Sequence, residues 1–208
     1  MKMDFAPAIS ALVLTALTST ANAATLTESL MQCTSSFFNA LYEHRAELGK
    51  VVKVERDANA LAWIIVPDRA ERAKATIAFS KPVIENGLHL TGFYDHYLDL
   101  GEEGTYYFWG FEIDESREKI MAATPQAGWR KSGDYYISNP QIKLTATGTW
   151  QPNPAAALGI APAPGSAEKV VMLGDEDGKS LLMCSIQGGV DDALLRQERP
   201  DLARRGAQ

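Results

Sequence analysis

The sequence predicts an α+β fold: a single domain in which an N-terminal amphipathic helix packs on one face of an antiparallel sheet. Apolar residues recur at helical spacing near the start of the chain, and apolar and polar residues alternate along its middle. Two pairs of strand-like segments are each joined by a short turn that contains glycine and acidic residues. One helix followed by consecutive strands, rather than alternating with them, is typical of the α+β class.

Residues 1–23 have the pattern of a signal peptide. An apolar run at residues 8–17 leads to the small-x-small motif at residues 21–23 that signal peptidase reads. The run is shorter than the roughly 20 apolar residues that a bilayer span needs. We therefore expect cleavage before Ala24 and export to the periplasm, with secretion as the alternative. No membrane span is expected in the mature domain, residues 24–208.

A helix is predicted directly after this leader. Thr25 and Glu28 have the spacing of a capping box, in which a hydroxyl and a carboxylate satisfy the first backbone N–H groups. Gly49 supplies the expected stop. Between them runs one apolar stripe with steps of three and four residues: Leu30, Cys33, Phe37, Leu41, His44 and Leu48. This stripe is expected to face the sheet, with Cys33 in the core.

The strands of the sheet are predicted to follow in order. The clearest hairpin joins residues 88–100 to residues 105–113, and a second joins 170–173 to 181–186. Weaker elements are a strand at 74–79, a brief helix at 115–123, and strands at 135–137 and 142–146.

Two segments in the last third of the chain are expected to lack regular structure: residues 151–167 and the tail after Pro200. Residues 151–167 hold four of the ten prolines and are predicted to form a Pro/Ala-rich loop without regular structure. Asp191 and Asp192 favour a last short helix. Pro200 is expected to interrupt it and to leave a mobile C-terminal tail.

Cys33 and Cys184 are the two cysteines of the chain. In an oxidising compartment they can form one intramolecular disulfide, which would pin the first helix to the second hairpin. The alternative is a pair of buried free thiols. Because the leader indicates export, we expect the disulfide.

Charge and motifs narrow the function classes. A net charge of -6 disfavours nucleic acid and anionic lipid headgroups, because both are polyanions, and leaves a basic protein partner open. The three histidines, His44, His89 and His96, lack the close spacing of metal ligands, and no nucleophile motif occurs. We therefore expect no metal, no cofactor and no assignable catalytic residue.

Eight aromatic residues concentrate between positions 93 and 111. One interpretation is a central hairpin buried on both faces. The other is a hairpin with one face open for binding, because tyrosine hydroxyls favour water or a partner and interfaces are enriched in aromatic residues. The candidate binding residues are Tyr94, Tyr97, Tyr106 and Phe108.

These features favour an exported binding or inhibitory protein, for example an immunity protein that neutralises an envelope-directed toxin by protein–protein contact. Its expected partner is a protein, with a basic toxin or enzyme as the candidate class. One alternative is a small envelope hydrolase using His44 or His96 with a nearby carboxylate. The other is a module that binds a small molecule or lipid in a cavity lined by Trp63, Phe79 and Trp109.

Overall fold

The computed structural model of the protein describes residues 24–144, 148–176 and 178–205. The predicted signal peptide, residues 1–23, lies outside the described residues. In the part that is described, no helix is long and apolar enough to cross a membrane.

The fold is mostly β, so the predicted α+β class is wrong. One antiparallel sheet of eight strands dominates, a two-stranded sheet stands beside it, and the helices are short. The strands are β1 Val54–Arg56, β2 Ala62–Ile64, β3 Thr76–Glu85, β4 Leu88–Asp99, β5 Thr105–Ile113, β6 Arg130–Ser132, β7 Tyr135–Lys143, β8 Gln151–Pro152, β9 Ala167–Glu176 and β10 Lys179–Gly188. The helices are α1 Leu26–Met31, α2 Ser36–Glu43, α3 Arg45–Leu48, α4 Arg117–Ala123, α5 Asp192–Glu198 and α6 Pro200–Arg205.

The large sheet has the order β3-β4-β5-β10-β9-β7-β6, and β8 also pairs with β7. Neighbouring strands are antiparallel throughout. By pairing with both β5 and β9, β10 joins strands β3, β4 and β5 on one side to strands β9, β7 and β6 on the other. The predicted hairpin at residues 88–113 agrees closely with β4 and β5.

The single N-terminal helix of the prediction is replaced by α1, α2 and α3. The capping box at Thr25 and Glu28 is present, but Cys33 has a φ of 52°, which is left-handed and ends the helical path after α1. His44 then separates α2 from α3, with a backbone outside the helical region. The expectation of one amphipathic helix packed along the sheet is therefore wrong.

The Cys33–Cys184 disulfide is confirmed, with 5.3 Å between the two Cα atoms. It joins the turn after α1 to the centre of β10, where Cys184 lies opposite Trp109 of β5. A disulfide fits a location outside the cytoplasm.

One face of the large sheet carries the main hydrophobic core, and we call it the helix face. The buried apolar residues of the α-helices belong to this core, together with alternate residues of β4, β5, β9 and β10. Phe37 of α2, for example, places its ring 6.3 Å from Phe93 and 5.8 Å from Phe111, measured between centroids. The other face, which we call the second face, carries two smaller clusters.

A buried ion network ties the C-terminal segment to β4. Arg199 is fully buried, and its Nη2 donates to Asp95 at 3.0 Å while its Nε donates to Asp201 at 2.9 Å. Its guanidinium also lies 4.7 Å from the Trp109 ring centroid. Burial alone would lower the pKa of Arg199, but the charges of Asp201 and Asp95 raise it. Where a tail was expected after Pro200, the described residues form α6.

Candidate functional site

The second face brings together a ladder of aromatic rings on β4 and β5. The His96 ring lies between Tyr94 and Phe108, with centroid distances of 5.9 and 6.4 Å, and Phe108 stacks on Tyr106 at 6.4 Å. The Nδ1–H of His96 donates to the backbone oxygen of Arg69 at 2.8 Å, which fixes this ring in the middle of the ladder. The ladder therefore has a fixed orientation and runs from buried Tyr94 to partly exposed Tyr106.

The structure groups three of the four predicted binding residues and separates the fourth. Tyr94, Tyr106 and Phe108 share the second face, but Tyr94 is buried beside Ala75. Tyr97 points to the helix face, where its ring lies 5.0 Å from that of Tyr107. Tyr106 and Phe108 are thus the predicted residues that lie on the second face and remain accessible.

A loop folds over the second face next to Tyr106. The segment predicted to lack regular structure contains β8 and a short 3-10 helix, Pro154–Leu158. Its ends are anchored: the N–H of Asn153 donates to the oxygen of Pro140 at 2.9 Å, and that of Gly189 donates to Ser166 at 2.8 Å. The loop is therefore held against the sheet, and it forms the roof of a cavity with Ala156, Gly159, Ile160 and Ala161.

This cavity has a volume of about 190 Å³. Five strands contribute lining residues, from Tyr106 on β5 across β10, β9 and β7 to Ser132 on β6. Val170 and Met172 supply the apolar floor, and Ile160 lies in the roof. Glu168 and Gln187 introduce the polar groups of the wall.

Glu168 is the unusual group of the cavity, because it is a carboxylate that is only 3% exposed. Its Oε1 accepts from the Nε2 of Gln187 at 2.8 Å, and its Oε2 accepts from the Nδ2 of Asn153. Burial raises the pKa of Glu168, and the hydrogen bonds from the two amides partly offset that effect. A carboxylate with a perturbed pKa in a cleft is typical of a functional site.

Exposed apolar side chains lie at or next to residues that line the cavity, and we call these side chains the apolar rim. Leu98 lies directly opposite Tyr106 in the β4–β5 register and is 37% exposed. Ile160 and Leu158 in the loop are 67% and 72% exposed. Side chains of this kind, grouped beside a cavity, mark interaction sites more often than isolated exposed apolar residues do.

The histidines do not form the shared cleft that the hydrolase alternative needs. The Nε2 of His44 lies 3.1 Å from the backbone oxygen of Ala24, whereas His96 bonds Arg69 on the second face. His89 has a carboxylate partner, Glu115, at 2.7 Å, but lies at the other end of β4. Among the residues described, no group of three or more His, Cys, Asp or Glu could hold a metal ion.

The lipid-cavity alternative also lacks its predicted lining. Trp63, Phe79 and Trp109 are buried, and they line neither of the two cavities described here. The second cavity, of about 320 Å³, is polar and contains Arg117, whose Nε pairs with Asp175 at 2.8 Å.

Sequence reasoning missed Glu168 and the loop roof. The signal for Glu168 is its position in β9, where alternation places it on the same face as Val170 and Met172. An acid in phase with two apolar residues of a central strand indicates a buried carboxylate. No pattern in the sequence indicates which strands lie beside β9, so the proximity of Tyr106 to Glu168 could not be predicted.

No protein-family model, no curated protein and no solved structure matches this chain.

Proposed function

We propose that the protein acts outside the cytoplasm, in the periplasm, as a binding or inhibitory protein that contacts another protein through its second face. The contact surface consists of the apolar rim together with Tyr106 and Phe108. The observation that carries the proposal is the grouping of exposed apolar side chains and partly exposed aromatic rings around one cavity. Such groupings characterise the centres of protein–protein interfaces.

The scaffold suits a rigid binding surface. The disulfide fixes the centre of β10, and the Arg199 network fixes β4 from the helix face. The rings of Phe108 and Tyr106 are therefore held by neighbours that do not need to rearrange on binding. A preorganised surface loses less conformational entropy on association, which supports tight inhibitory contact.

The charge of the chain supports a basic partner. The net charge is -6, and Glu103 and Glu168 both raise the pKa of Tyr106 after the larger effect of burial. The electrostatic potential around Tyr106 is therefore negative. Complementary charge speeds association and selects against acidic partners. A basic toxin or enzyme directed at the envelope fits this requirement, and the protein would then act as its immunity protein.

The chain offers a matched pair of variants for testing the surface. Ile160 and Ile84 are the same residue type and are 67% and 66% exposed, but Ile84 lies beside the turn between β3 and β4. His89, its partner in the register, is separated from Leu98 by about 30 Å along β4. Ile160→Ser and Ile84→Ser therefore remove equal apolar surface at the two ends of the sheet.

The experiment uses mature, oxidised protein to capture partners from an envelope extract. We expect a stoichiometric protein partner that wild type and Ile84→Ser retain and that Ile160→Ser and Tyr106→Ala lose. Equal retention by all four baits, or loss with Ile84→Ser alone, contradicts the assigned surface. Absence of any partner at micromolar bait contradicts the proposed function.

A further inference from the structure

The Glu168 carboxylate is buried without a compensating cation among the described residues that contact it. Its two hydrogen-bond donors, Asn153 and Gln187, are neutral amides. Two other buried carboxylates have ionic partners: Asp95 pairs with Arg199 and Arg69, and Glu198 pairs with Lys169 at 3.4 Å. Buried Glu85 instead accepts from the backbone N–H groups of Leu26 and Thr27 at the start of α1. A buried charge without an ionic partner destabilises a protein, so its presence in a cavity wall calls for a functional reason.

The Glu168 carboxylate keeps unused acceptor capacity. Each carboxylate oxygen has two lone pairs, and each oxygen of Glu168 accepts one of the hydrogen bonds given above. Glu168 and Gln187 both line the cavity, so a donor inside the cavity lies beside this carboxylate. A donor that enters the cavity can therefore bind Glu168 without displacing either amide.

The cavity has the size and lining of a site for one long side chain. Apolar cavities of about 150 Å³ hold one benzene ring, and this cavity measures about 190 Å³. Ile137, Val170 and Met172 provide an apolar path toward Glu168. Lysine and arginine have this combination of an apolar stem and a charged end, and they bury the stem along apolar surface.

We propose that the cavity accepts a lysine or arginine side chain of the protein partner, with its stem along Ile137, Val170 and Met172 and its cation on Glu168. This inference rests on the proposed function and specifies the chemistry of the partner. Charge complementarity between a carboxylate without an ionic partner and a basic group favours this occupant. Glu168 is then a binding residue that anchors the partner at the centre of the apolar rim.

Small amides of single amino acids test the cavity without knowledge of the partner. The probes are N-acetyl-argininamide and N-acetyl-lysinamide, and their uncharged counterparts are N-acetyl-citrullinamide and N-acetyl-norleucinamide. Binding is followed by amide chemical shifts of residues 156–161 and of Glu168 in the mature, oxidised protein. We expect each charged probe to bind about tenfold or more tightly than its uncharged counterpart, which corresponds to about 1.4 kcal/mol.

Two carboxamide variants identify the carboxylate responsible. Glu168→Gln is expected to abolish the preference for the charged probes. Glu112→Gln is the control, because Glu112 also lies on the second face but already pairs with Lys179 at 3.0 Å. This variant should leave the preference unchanged. Unfolding by urea establishes that both variants are folded, and the lysinamide and argininamide shifts are compared only after that.

The outcomes separate this inference from the proposed function. Equal binding of charged and uncharged probes, or a charge preference that survives Glu168→Gln, overturns the inference and identifies the cavity as a site for an apolar side chain. Absence of binding by all probes at tens of millimolar also overturns it. If a captured partner is lost on Ile160→Ser but retained by Glu168→Gln, the surface is correct and the basic anchor is wrong.

Discussion

The disulfide gives the most direct prediction about stability. Cys33 and Cys184 are 151 residues apart in sequence, so their bond removes a large number of conformations from the unfolded chain. In the chain-entropy treatment a loop of this length stabilises the folded state by about 5 kcal/mol at 25 °C. Because typical domains are stable by about 5–15 kcal/mol, loss of the bond removes a large fraction of the total.

The perturbation is the double variant Cys33→Ala with Cys184→Ala, compared with wild type in the absence and presence of a reductant. Urea unfolding followed by tryptophan fluorescence and far-UV circular dichroism measures the free energy of unfolding. We expect a decrease of about 3–5 kcal/mol, the lower bound allowing for residual structure in the unfolded chain. Reduced wild type should behave as the double variant does.

A small effect would refute this reasoning. If the double variant loses less than about 1 kcal/mol, the bond does not act by restricting the unfolded chain. A steeper decrease in the free energy of unfolding with urea concentration in the variant would support the reasoning, because a chain without the cross-link exposes more surface on unfolding.

Three further predictions follow from the buried charges. Arg199→Met should lower the free energy of unfolding by about 3–5 kcal/mol in urea unfolding, because it removes the ion pairs of Arg199 with the buried carboxylates of Asp95 and Asp201. Burial raises the pKa of Glu168, so the contribution of Glu168 to stability falls as the pH rises through that pKa. Glu168→Gln should therefore have a higher urea midpoint than wild type at neutral pH, and this difference should shrink as the pH falls. Glu115 has the opposite pH dependence. Burial alone would raise its pKa, but hydrogen bonds from His89 and Lys119 lower the pKa to about 2. Its contribution to stability is therefore present above the usual carboxyl pKa of 4.5 and is lost as the pH falls toward about 2. Urea midpoints of Glu115→Gln and wild type should therefore differ at neutral pH and converge in acid, and a constant difference would contradict this assignment.

Local patterns in the sequence correctly predicted features that form between residues close in sequence. The alternation at residues 88–113 predicted β4 and β5, and the Thr25–Glu28 spacing predicted the cap of α1. The disulfide was predictable because a chain with two cysteines has one intramolecular pairing available.

The helix prediction failed because a long-range constraint overrides the local pattern. The stripe from Leu30 to Leu48 continues smoothly through Cys33, and nothing near that residue indicates a left-handed backbone. The turn at Cys33 coincides with the disulfide to Cys184, which lies on a strand distant in sequence. Helical periodicity predicts which residues are buried more reliably than it predicts one continuous helix.

The candidate site was predictable only in part, because it depends on strand order. Tyr106 and Phe108 were found from the aromatic concentration, whereas the separation of Tyr97 from them follows from the register of β4 against β5. Glu168 lies near Tyr106 because β10 pairs with both β5 and β9. Pairing between distant segments leaves no periodic signal in a single sequence.

The central claim is that the end of the sheet around Ile160 contacts a protein in the envelope. Site-specific photocrosslinking in cells tests it most directly, with p-benzoylphenylalanine introduced at position 160 and, as the matched control, at position 84. We expect one discrete crosslinked protein from position 160 and none from position 84. No crosslink from position 160, or the same products from both positions, would contradict it.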